Sequence, residues 1–228
     1  MDEKILEMLQ LQNRLNSDTN GVNWRDGFTK NEKKINWKRC IYMETAELID
    51  SFPWKHWKDI DSNIDIDNIK IEVIDIWHFL MSYLLQFHDP IKLTNIISNF
   101  IDSKSDIKIP QKWQKEDNEK IDIFLDIFEE MMALALIKSD DEVYQESLLE
   151  QFFKICDGVN LSFNELYKLY IGKNVLNKFR QDFGYKEGAY KKIWDGKEDN
   201  VWMQEILEKE KDIDFDSLYN RLKEVYPD

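Results

Sequence analysis

Between Ile71 and Phe87, twelve of seventeen residues are apolar, yet the run carries Glu72 and Asp75 three residues apart. A helix apolar on nearly every side is a buried one. Ionised acids inside such a helix are costly unless positive charge sits against them. A second pair, Glu44 and Glu47, lies 25 residues earlier in the stretch Arg39–Asp50. Three-residue spacing points both acids of a pair the same way on a helix. Ile41, Met43 and Leu48 flank the first pair; Ile71, Ile76 and Phe79 bracket the second. An isolated Glu-x-x-Glu is ordinary on a solvated helix face. Two such pairs, both inside apolar helices, fit an antiparallel helix pair whose inner faces meet. Four converging carboxylates would form a bed of hard oxygens suited to Mg²⁺. The remaining bland reading is burial of the acids against arginine. Some of the acids would ligate metal, and one could instead deprotonate a water for attack on phosphorus. The pattern alone leaves open which.

The chain of 228 residues has room for one large domain or two small ones, and no composition break argues for two. Seven glycines and four prolines are few for this length and favour long helices. No strand-period run or hairpin signal stands out, so the expected class is all-α: a multi-helix bundle whose four-helix core carries the paired carboxylates. The net charge of −14 argues against a general nucleic-acid or anionic-membrane binder. Two cysteines, Cys40 and Cys156, give no disulfide framework and fit a reducing cytoplasm. The start Met-Asp-Glu-Lys lacks the features of a secretory signal, and no uncharged apolar run is long enough to span a bilayer.

Period and capping residues predict helices over 2–17, from Trp37 to before Pro53, and over 69–88 with a cap at Asp65 or Asp67. Further helices are expected near 91–101, 119–138 and 142–156, from Ser162 to about Phe183, and near 200–210 and 214–225. Residues 18–27 and 102–118 read as loops, and 184–196 as irregular chain.

Positive charge gathers late in the chain. Residues 166–194 hold seven Lys or Arg against two acids, inside a chain that is acidic overall. Lys173, Asn177, Arg180 and Gly184 fall on one helix face, with Leu176, Phe179 and Phe183 on another as anchors. Arginine forks, lysine point charges, amides and glycine-freed backbone N–H groups can together grip phosphate. A merely solvated basic face is the alternative. No Walker loop or dinucleotide fingerprint is present. Gln12 and Asn16 lie one turn apart and offer both donor and acceptor, the chemistry needed to read a base edge. Taken alone they would be ordinary surface polars. His78, one turn after Asp75, suits either a hydrogen-bonded core histidine or a ligand contact. Trp57 and Phe79 could stack on a base or belong to the core.

These residues together resemble the dimeric all-α dUTPases, within the wider MazG-like all-α nucleoside-triphosphate pyrophosphatases. The resemblance runs through Leu11–Asn16, Glu44/Glu47, Trp54–Lys58 and Glu72/Asp75/His78. It ends in Tyr170–Arg180, Gly184–Gly188 and Gly196–Asn200. In this order and spacing the pieces are specific. Residues 90–160 match no motif and read as a variable helical segment of one domain, 1–228. The resemblance implies Mg²⁺-dependent hydrolysis of dUTP to dUMP and pyrophosphate, and of dUDP to dUMP and phosphate, with water attacking the β-phosphorus. Such activity keeps uracil out of DNA and supplies dUMP for dTMP synthesis. It implies two or more Mg²⁺ ions, with Mn²⁺ as a substitute, held by Glu44, Glu47, Glu72 and Asp75. Glu47 is the choice to activate water, with Glu44 beside it. Carried over, Gln12 and Asn16 read uracil, while His78, Phe79 and Trp57 bound base and sugar. Lys58, Lys173, Asn177, Arg180, Tyr185, Lys192 and Asn200 hold phosphate, with Lys191 an alternative to Lys192. The assembly implied is a homodimer, with neither nucleic acid nor membrane as partner.

The nearest rival is a related all-α pyrophosphatase with different or broader base specificity. A di-iron bundle is a weaker one, since Asp75-x-x-His78 loosely mimics Glu-x-x-His. With only His56, His78 and His88 in the chain, no second such pair exists. A non-catalytic helical module gives no reason for buried acids and a basic glycine-marked face in one protein.

Overall fold

The computed structural model describes residues 1–57, 64–210 and 214–227. Among them nine α-helices follow in order: α1 Asp2–Asn20, α2 Trp37–Asp50, α3 Ile66–Leu84, α4 Pro90–Ser98, α5 Ile121–Leu136, α6 Glu142–Gly158, α7 Phe163–Asp182, α8 Asp199–Lys209 and α9 Phe215–Val225. Short 3₁₀ turns lie at Trp24–Asp26 and Lys115–Lys120. The all-α expectation holds, and no described helix is long and apolar enough to cross a membrane.

Local chemistry sets the boundaries. The Asp65 carboxylate accepts from the backbone N–H of Asp67 and Asn68, so α3 begins at Ile66, three residues before the expected start at 69. Asp141 and Ser162 cap α6 and α7 in the same way. The first helix runs to Asn20 rather than residue 17. It stops only at Gly21, whose φ of 101° is open to glycine. One expectation fails outright. A hairpin pairs β1 (Ile193–Trp194) with β2 (Lys197–Glu198). Asp195 and Gly196 between them have φ of 47° and 81°, the positive pair that a type I′ turn requires. Asp-Gly is a hairpin signal that the helical reading of the chain passed over.

Helix α3 is the axis. Ile69, Val73, Ile74, Ile76, Trp77, Leu80 and Met81 are wholly sequestered, and Trp77 stacks on Phe152 of α6 at 4.7 Å. Each such side chain contributes on the order of 1.5–3 kcal/mol on burial. Helices α1, α2, α6 and α7 pack on the same axis, while α5 packs on α2 and α6. A second, smaller cluster gathers Val175, Leu176 and Phe179 of α7 with Trp194, Met203, Leu207, Leu218 and Leu222. Ile71 of α3 joins it, so the hairpin, α8 and α9 lean on the helix that carries the second acid pair.

Candidate active site

Helices α2 and α3 run antiparallel. Asn68 at the start of α3 donates to Ser51 just beyond the end of α2, while Trp37 at the start of α2 meets the Phe79 ring. Between these two contacts the inner faces bring Glu44, Glu72 and Asp75 together. Each offers an oxygen within 4.8 Å of the others, and all three are half-buried. Glu47, one turn along α2, is exposed beside this trio rather than part of it. Its charge is nonetheless felt at both Glu44 and Glu72.

Crowding shows in the titration of the acids. Burial, then the charges of Asp75, Glu47 and Glu72, push Glu44 up to about 8. Burial, then Asp75, lifts Glu72 to about 7, with Lys173 and Lys192 opposing. The donor set is oxygen only, with no histidine or thiolate among the three. Carboxylates packed this tightly fit a hard divalent cation, whose charge would relieve the repulsion that now favours their protonated forms.

Cationic groups come from α7. Lys173, buried, places Nζ 2.8 Å from Asp75 Oδ2 and 2.9 Å from Asn200 Oδ1. Arg180 grips Asp199 with two bonds of 2.8 Å, from Nε and Nη2. It also donates to Asn177 at 3.3 Å and to Asn200 at 3.4 Å. The Tyr190 hydroxyl donates to the same Asp199 carboxylate. Burial alone would raise Asp199, but the Arg180 fork outweighs it and holds the carboxyl below its ordinary range. Sequence reasoning missed Asp199 and Tyr190, although they set the pose of Arg180. Lys192 is exposed, 3.3 Å from Glu198. Tyr185 is exposed too, its ring 5.9 Å from that of Tyr190.

A second group lies where α1, α3 and α7 meet. Gln12 and Asn16 are buried, not surface polars. Gln12 Oε1 is 2.7 Å from His78 Nδ1 and accepts from the Tyr170 hydroxyl at 3.1 Å. Gln12 Nε2 donates to Ser82 Oγ at 2.9 Å and to Asn16 Oδ1 at 3.2 Å. His78 stacks obliquely on Tyr170 at 4.5 Å, and its Nε2 is buried without a partner among the described residues. Burial pushes its pKa down to about 3, so the ring is neutral. Phe79, half-buried, packs on Trp37. Trp57 is 61% exposed and meets Trp54 and His56 edge-on. Lys58 lies outside the described residues.

The site is therefore a trio of acids with a buried lysine at one edge, an arginine clamp beyond it, and a closed amide–histidine network one turn further along α3. A family model described as dUTPase matches residues 4–185. No match was found among curated proteins.

Proposed function

Because the chain belongs to the all-α dUTPase family and is a dUTP diphosphatase, we propose that hydrolysis takes place at Glu44, Glu72 and Asp75 with Mg²⁺ as the cofactor. The observation that carries the assignment is the convergence of three oxygen donors beside Lys173 in a member of that family. Mg²⁺ held by these acids, with Glu47 at the rim, would neutralise phosphate charge and draw electrons from the reacting phosphorus.

Glu47 is exposed and one turn from Glu44, which suits it to receive a proton from water. The water oxygen bonds to the β-phosphorus while the bond from that phosphorus to the α,β-bridging oxygen breaks. From dUTP this yields dUMP and pyrophosphate, and from dUDP it yields dUMP and phosphate. Lys173, Asn177, Arg180 and Asn200 already touch one another, and they would meet the phosphates with Lys192 and Tyr185 from the following segment. Gln12, Asn16, His78 and Phe79 would hold uracil and deoxyribose, with Trp57 closing over them. The chain would act as one domain, since α7 joins the acid-bearing core to the hairpin and α8. It would assemble as a homodimer.

The test is product release from dUTP, dUDP, dCTP, dTTP and UTP, with and without Mg²⁺, in wild type and Glu47→Gln. Turnover of dUTP and dUDP that is lost on chelation and in the variant is expected. In ¹⁸O-water the label should enter pyrophosphate; label in dUMP would sink attack at the β-phosphorus. Equal turnover of dCTP or UTP would favour the broader pyrophosphatase. Sedimentation should give a dimer, and a stable monomer would overturn that assembly.

A further inference from the structure

The amide–histidine network has a direction, and one hydroxyl sets it. Ser82 lies one turn after His78 on α3 and is wholly buried. Its hydroxyl has two acceptors in reach, the His78 carbonyl at 2.7 Å and Asn16 Oδ1 at 3.4 Å; the far shorter contact takes its only proton. The oxygen is left as an acceptor, and two donors meet it: Gln12 Nε2 at 2.9 Å and Asn16 Nδ2 at 3.0 Å. Both amides must therefore turn their nitrogens toward Ser82. Gln12 then has no choice but to turn Oε1 the other way, toward His78 and Tyr170. A carbonyl oxygen 2.7 Å from Nδ1 demands a proton there. In a neutral imidazole one nitrogen donates and the other accepts, so Nε2 carries the lone pair. That atom is buried and has no partner among the described residues.

We propose that Ser82 is a positioning residue: with its proton held by the His78 carbonyl, it meets the two amides as an acceptor and so fixes the orientation of Gln12 and Asn16 and the tautomer of His78, so that Nε2 awaits a hydrogen-bond donor on the nucleoside. The inference rests on the placement of the base and sugar at this network. Two donors on deoxyuridine have the required chemistry, the imide N–H of the base and the 3′-hydroxyl of the sugar. Cytosine places a lone pair where uracil has its imide proton, and two lone pairs repel. Reversal of the network would put a proton on Nε2 and remove that discrimination.

The experiment has a substrate-free arm and a kinetic arm. Long-range ¹H–¹⁵N spectra of the metal-free protein should show His78 as the Nδ1–H tautomer in wild type and in Ser82→Thr, which keeps the hydroxyl. Ser82→Ala should populate the Nε2–H form. In the kinetic arm, Ser82→Ala should raise KM for dUTP about tenfold, the worth of roughly one hydrogen bond, with kcat changed far less. Comparison of dUTP with dCTP and with the dideoxy analogue of dUTP separates the sources. The Ser82→Ala penalty should vanish for whichever nucleotide lacks the donor. Should Ser82→Ala fail to fold, Ser82→Cys, nearly isosteric but a weak acceptor, gives the same reading. An unchanged tautomer and unchanged KM in the folded variant would overturn the proposal. So would an Nε2–H tautomer in wild type. Absence of dUTP turnover in wild type would strike the reading of the site, whereas the tautomer reports on Ser82 without any substrate.

Discussion

Lys173 Nζ lies 2.8 Å from Asp75 Oδ2, with the lysine side chain 3% exposed and the aspartate 21%. The same ammonium opposes the raised titration of both Glu44 and Glu72, so one buried cation serves three acids. Arg180 is committed to Asp199 and offers less relief. Removing Asp75 leaves Lys173 facing Glu44 and Glu72 and lessens their mutual repulsion. Removing Lys173 leaves the acids with neither partner nor relief. We therefore expect Lys173→Gln to cost roughly 3 kcal/mol in urea unfolding at pH 8 without metal, the lower end for breaking a buried pair. Asp75→Asn should cost about half as much by the same reasoning. The reverse order would show that Lys173 is there to hold Asn200 rather than to balance the acids.

The acids also set how stability depends on pH. Glu44 and Glu72 have folded-state values of about 8 and about 7, against an ordinary 4.5. The native state therefore holds more protons than the unfolded chain between these limits. Their contribution is fully present below about pH 4.5 and is lost as pH rises through 7 and 8. Because the two sites are coupled, the loss should spread over one broad transition. Thermal melts in chelator from pH 5 to pH 9 should show Tm falling through the neutral range. With saturating Mg²⁺ the same series should be flatter, since bound cation displaces the protons. A chelated Tm that rises with pH across this window would mean the acids are not crowded in solution.

Much of the core of this site was legible because its signals are local. The acid pairs repeat within one turn and sit among apolar residues whose period marks the buried face, so α2 and α3 and their meeting follow from spacing alone. The caps at Asp65, Asp141 and Ser162 are equally local. What escaped depends on distant partners. Gln12 and Asn16 look like surface amides until Ser82, which stands 70 residues beyond Gln12, comes to face them. Asp199 is one more acid in a chain of acids until the end of α7 delivers Arg180 to it across 19 residues. A pairing of that kind leaves no period to read. The separate place of Glu47, exposed beside the other three, also depends on how α2 is rotated against α3, which equal spacing does not fix.

Asp199 gives the third test. It is fully buried, and its two oxygens receive Arg180 Nε and Nη2 together with the Tyr190 hydroxyl. Asp199→Asn keeps the shape but presents an N–H₂ group to donors and leaves a buried guanidinium without its counter-charge. A loss of about 3–5 kcal/mol is expected, the range for breaking a buried pair. The damage should be uneven. Trp194 packs beside Phe179 and Tyr190, so hydrogen exchange should rise across 185–200 while α3 stays protected. KM for dUTP should rise as well, because Asn200 adjoins the clamp. Uniform loss of protection across the chain would show that the two clusters unfold as one.

Gly172 links packing to the site by a different route. A Cβ placed there would lie 2.6 Å from Leu207 Cδ1 and 3.2 Å from Met203 Sδ, both on α8. The residue is helical, so alanine would gain about 1 kcal/mol in propensity. Against this stands overpacking, which costs about 1–3 kcal/mol. The contacted atoms are ends of flexible side chains and can yield, so Gly172→Ala should be close to neutral in urea unfolding. Valine adds two branches that cannot be accommodated by one rotamer change. Gly172→Val should cost about 3 kcal/mol, at the upper end of that overpacking range. It should also push α8 outward, carrying Asn200 away from Lys173 Nζ, now 2.9 Å distant. KM for dUTP should then rise several-fold in the valine variant and not in the alanine one. A valine variant that loses stability with KM intact would show that α8 can shift without moving Asn200, and that the lysine–asparagine contact is not set by the packing of α7 on α8.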